Sequence, residues 1–143
     1  MPYKFLEDVA IADVAFEATG KTLEELFESC GLAVTNTMVK DLDSVKRKIV
    51  KDIEVESESI ELLLFAFLQE IIFYKDAKLL LFNKFDVRIR QMKKKNRLKA
   101  KAYGEKLNMK KHELKVDVKA VSLHNFQVKK TRSVWKASVI LDV

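Results

Sequence analysis

The longest periodic signal lies in the middle of the chain. Ile60, Leu63, Leu64, Phe67, Leu68, Ile71 and Ile72 recur at the spacing that lines one face of an α-helix over three turns. So broad an apolar face must be buried against a sheet or another helix. The chain therefore has to lay a helix, starting near Ser57 or Ser59, onto a layer built from the rest of itself.

The remaining patterns supply that layer. Thr22-Leu23-Glu24-Glu25 is a capping box, and Leu23, Leu26, Phe27, Cys30 and Val34 fall at helical spacing, which predicts a helix over 22–38. Residues 3–18 read as one or two strands, with Val14, Phe16 and Ala18 alternating against Asp13, Ala15 and Glu17, before a break at Gly20. Further strands are predicted over 47–56, 79–91 and 97–103, followed by a looser stretch at 104–111. Leu114, Val116, Val118 and Ala120 share a face of a strand over 114–121; Phe126 and Val128 belong to the next, and 134–143 closes the chain. Two helices with six or more strands, largely antiparallel, give an α+β fold of one layered domain spanning 1–143. A length of 143 residues, a hydrophobic content of 48% and only three glycines and one proline agree with one packed core.

The composition also sets the setting. The single cysteine, Cys30, excludes an intramolecular disulfide and sits on the apolar face of its helix as a core residue. No apolar run approaches the roughly 20 residues of a membrane span, and the opening Met1-Pro2-Tyr3-Lys4 shows no signal-peptide core. A soluble, cytoplasmic protein with no membrane partner is expected.

Catalytic motifs are missing. There is no Gly-rich phosphate loop, no GxSxG and no His-Glu-x-x-His, and His112 and His124 lack zinc-type spacing. Two charged features remain. Arg88, Arg90, Lys93, Lys94, Lys95, Arg97, Lys99 and Lys101 form a run without an acid. If 93–96 is a hairpin turn, these bases face away from Val87, Ile89, Leu98 and Ala100, either as a contact for RNA phosphates or an acidic partner, or as a solvated outer face. The second feature is acidic. Asp13, flanked by apolar residues on a predicted strand, and Asp142, the penultimate residue, are costly to desolvate unless a cation or donor meets them. With Asp8 and Glu17 nearby in sequence they are hard oxygen donors suited to Ca²⁺, Mg²⁺ or Mn²⁺; ordinary solvated strand acids are the alternative.

Several segments together resemble the archease family. They are Tyr3-Lys4-Phe5-Leu6-Glu7, Ala12-Asp13, and Gly20-Lys21-Thr22-Leu23-Glu24-Glu25-Leu26-Phe27. To these add Leu62-Leu63 through Leu68, the stretch Lys119-Ala120-Val121-Ser122-Leu123-His124-Asn125, and Trp135 through Asp142-Val143. The resemblance implies a non-enzymatic accessory protein of the RtcB RNA ligase in tRNA splicing. Such proteins promote attachment of GMP to the ligase histidine and allow multiple turnover. It implies a divalent-metal site, with calcium as the ion, held by Asp13, Asp142 and the terminal carboxylate of Val143. A chaperone-like or RNA-binding modulator of tRNA-modifying enzymes, such as a tRNA methyltransferase, is the alternative the family also implies. Where many members carry His-Thr-Ala-Asp, this chain reads Asp8-Val9-Ala10-Ile11-Ala12-Asp13, so the family histidine and threonine have no counterpart.

Overall fold

The computed structural model describes residues 2–6 and 13–143, which form two antiparallel sheets and two helices. Strand β1 (Tyr3–Leu6) pairs with β2 (Asp13–Gly20), β2 with β7 (Val134–Asp142), and β7 with β6 (Ala120–Thr131). The second sheet places β5 (Asn96–Lys106) between β3 (Ile49–Ser57) and β4 (Leu80–Gln91). Helices α1 (Leu23–Met38) and α2 (Ile60–Lys78) both touch both sheets. The α+β architecture expected from the sequence is therefore the one observed.

Local chemistry fixes the helix ends. Thr22 caps α1 by accepting from the Glu25 N–H at 3.1 Å. Glu25 reaches back one residue beyond the cap, taking the Lys21 N–H at 2.9 Å. Ser59 caps α2 by accepting from Leu62 N–H, and Leu79, in the left-handed region at φ 56°, ends it. Leu63, Leu64, Phe67, Leu68, Ile71 and Ile72 are all buried, as the periodicity requires. At about 1.5–3 kcal/mol for each large apolar side chain removed from water, burial of this face is a major contribution to the core.

The helices also cover the sheet edges. On β4, Val87 N–H donates to Glu28 Oε2 at 3.0 Å and Ile89 N–H to Glu24 Oε2 at 3.4 Å. On β6, Val121 N–H donates to Gln69 Oε1 and Val128 N–H to Glu61 Oε2. Helix side chains thus occupy amides that would otherwise template pairing with another chain.

One predicted strand is absent. Residues 114–119 belong to neither sheet; Leu114 makes an isolated bridge to Val39, and β6 begins only at Ala120. The alternation of Leu114, Val116 and Val118 is misleading because only Val118 is buried, while Leu114 and Val116 are exposed. The segment is instead tied at its ends: Lys115 N–H donates to Met38 O, and Lys119 N–H to Asp142 O. What looked like a separate strand at Phe126 and Val128 is the second half of β6, interrupted by a bulge between Ser122 and Gln127. Strand β5 likewise continues to Lys106, through the start of the stretch read as loose.

Candidate functional site

The pairing of β2 with β7 sets Asp13 directly opposite Asp142. Residues distant in sequence are thereby brought to adjacent positions at one end of the first sheet. Asp13 is half-buried, Asp142 is exposed, and Val143 packs against the edge of the core. Like charges placed across neighbouring strands repel, so this arrangement is unfavourable unless something positive lies between them. Asp142 is further held from its other side, since its carbonyl accepts from Lys119 N–H at 2.8 Å and its Cα partner on β6 is Ala120.

Glu17 does not join them. Its carboxylate takes Lys136 Nζ at 2.8 Å, and that bond, against a smaller desolvation cost, lowers its pKa. Asp8 lies outside the described residues. Among those described, no cluster of three His, Cys, Asp or Glu side chains could hold a metal, so Asp13 and Asp142 supply a pair rather than a cage.

A residue the sequence reading passed over anchors this end. Lys75 continues the apolar face of α2 yet is buried, where its ammonium meets Asp117 and Asp76 and donates to Val118 O at 3.0 Å. Burial works against its charge, but the two carboxylates outweigh it and hold the pKa above the ordinary lysine value. The latch fixes the segment whose Lys119 reaches Asp142. The signal was available: a lone lysine three residues after Ile72 on a core face needs an acid to meet it.

The basic run forms the predicted hairpin, with Met92 N–H donating to Lys95 O at 3.0 Å across its loop. Its bases do face outward, but strand β3 answers half of them. The register aligns Asp52, Lys101 and Asp86 in one row, Glu54, Lys99 and Arg88 in the next, and Glu56, Arg97 and Arg90 in the third. Lys101 meets Asp52 at 3.1 Å, Lys99 meets Glu54 at 3.7 Å, and Glu56 takes both Arg97 at 2.8 Å and Lys95 at 3.3 Å. Among the described residues, Arg88, Arg90, Lys93 and Lys94 have no acid within salt-bridge reach. The surplus positive charge is confined to β4 and the loop.

Cys30 is fully buried, and burial pushes its thiol pKa far up, away from nucleophilic chemistry. His124 is exposed in the β6 bulge, where its N–H donates to Ser122 Oγ. No described helix is long and apolar enough to cross a membrane.

Against known proteins, residues 3–143 match the model of the Archease protein family. The chain belongs to the archease family. The archease of Pyrococcus abyssi is 39% identical over 133 residues, covering 92% of this chain and 93% of that protein. The archease of Methanosarcina mazei is 33% identical over 142 residues, covering 99% and 95%. The solution structure of Methanobacterium thermoautotrophicum protein 1598 superposes with a TM-score of 0.86 at 35% identity over 99% of both chains. A Thermotoga maritima archease, described as a possible chaperone, shares the fold at a TM-score of 0.61 and 18% identity.

Proposed function

We propose that this archease is a non-enzymatic activator of an RtcB-type RNA ligase, acting through an acidic divalent-metal site. The observation that carries the reading is the Asp13–Asp142 pair. Two carboxylates on opposed strands, with the main chain of Val143 beside them, are hard oxygen donors of the kind calcium takes. They fill only part of a shell of six to eight oxygens. The fit is therefore to an ion whose remaining ligands come from water or from the docked ligase. Asp13, Asp142 and Val143 would hold such an ion, which would supply charge neutralisation to the phosphates of the ligase nucleotide. The Lys75 latch and Lys119 keep Asp142 in place, and Arg88, Arg90, Lys93 and Lys94 are available to RNA or to an acidic ligase surface.

The test is GMP attachment to the ligase at limiting divalent metal, with and without the protein. Faster guanylylation that disappears in Asp13→Ala and in Asp142→Ala is expected. Undiminished stimulation by both variants would overturn the reading, and no stimulation by the wild type would turn attention to tRNA-modifying enzymes. A partner-free measurement complements it. In chelator, Asp13→Asn is expected to melt at or slightly above the wild type, because it relieves a cross-strand repulsion of about 0.2–1 kcal/mol. Calcium at about 100 times its dissociation constant should stabilise the wild type by about 2.7 kcal/mol and leave Asp13→Asn unmoved. Equal calcium shifts in a differential scanning measurement would count against the pair as ligands.

A further inference from the structure

A second basic region lies at the opposite end of the β3-β5-β4 sheet from the hairpin loop. Lys48 just before β3, Lys51 within it, Lys78 closing α2, Lys106 closing β5 and Lys111 in the following connector line one cavity of about 980 Å³. All five are exposed. Among the described residues, Glu105 is the only carboxylate on its wall. It is already engaged, by Lys111 Nζ at 2.7 Å, the Lys46 N–H at 2.7 Å and His112 Nε2 at 3.0 Å. Among the described residues, Lys51, Lys78 and Lys106 meet no acid within salt-bridge reach.

We propose that this cavity binds a ligand carrying consecutive phosphate groups: the backbone of a single-stranded nucleic acid or a free oligophosphate chain. Five ammoniums against one engaged carboxylate leave a concave positive field, which focuses on anions and is relieved by them. The C-terminal dipole of α2, worth about half a negative charge, offsets little of it. Lysines act as point charges and suit phosphates without reading sequence. Among the described residues the remaining wall includes Leu79, Leu107 and Met109 but no aromatic ring, so bases would find nothing there to stack on. The volume is that of a small-molecule or short-oligomer site. The hairpin loop differs: the hollow beneath it is lined by Glu56 and Glu58 as well as by lysines. The inference is independent of the acidic end.

The experiment measures binding of a fluorescent oligouridylate by anisotropy and of tripolyphosphate by calorimetry, at low salt, to the wild type and to Lys51→Glu/Lys78→Glu/Lys106→Glu. A Lys→Gln triple at the same positions and a circular-dichroism melt guard against misfolding. At least a tenfold loss is expected in the Glu triple, with the salt slope for the oligonucleotide reduced by about 2, at roughly 0.7 per phosphate contact. The Lys93→Glu/Lys94→Glu/Lys95→Glu protein should lose less. Oligouridylate binding that depends on the cavity lysines assigns the backbone; tripolyphosphate binding alone that depends on them assigns the free chain. Failure of both ligands to bind, or binding unchanged in the cavity triple, overturns the proposal.

Discussion

Gly104→Ala is expected to destabilise the protein by about 3 kcal/mol or more, or to prevent folding, at or beyond the upper end of what overpacking a well-packed site costs. A β-carbon on Gly104 would lie 1.8 Å from the Leu81 carbonyl oxygen, 2.7 Å from its carbon and 2.8 Å from Phe82 Cα. All are backbone atoms of β4, so no rotamer change relieves the clash. The cause is visible in the pairing. The register between β4 and β5 shifts between Phe82 and Lys84, leaving Asn83 as an extra residue. Asn83 Nδ2 donates to Leu42 O and Val45 O, which pins the bulge from outside. The strand therefore cannot withdraw from Gly104. Urea unfolding followed by circular dichroism checks this; a midpoint close to the wild type would show that the bulge yields.

Glu105→Gln is expected to cost about 2–4 kcal/mol at neutral pH, as removal of a buried charge that several donors share does. Burial opposes ionisation of Glu105, yet Lys111, the Lys46 amide and His112 together hold its pKa at about 2, down from 4.5. His112 is itself buried, and its Nδ1 accepts from Asn108 N–H at 2.9 Å, which leaves the ring proton on Nε2 facing Glu105. Because the folded-state value is the lower one, this stabilisation is complete above about pH 4.5 and is lost as the pH falls toward 2. Wild type and Glu105→Gln should therefore differ most near neutrality and converge at strongly acid pH. Parallel melting curves at every pH would refute a charged role for Glu105.

Local regularities were legible in the sequence, and encounters between distant segments were not. The α2 face announced itself because helical periodicity is written in neighbouring residues, and Thr22 to Glu25 announced the start of α1 for the same reason. Leu114, Val116 and Val118 imitated a strand because alternation says nothing about whether a partner strand exists. The basic run looked unopposed because its acids, Asp52, Glu54 and Glu56, lie on β3 and meet it only through the register. Lysines 48, 51, 78, 106 and 111 show no pattern along the chain, since only the fold makes them neighbours. Asp13 and Asp142 were marked by being acids among apolar residues; their direct opposition is a product of the β2–β7 pairing.

That pairing has a temporal meaning. Of the described strands β2 is made early and β7 last, so a ribosome-bound fragment carrying only the earlier described elements still lacks the acidic pair. Closing so long a loop also makes this contact among the slower ones to form. A partner that engaged both acids at once would therefore recognise only molecules in which β2 and β7 have already paired.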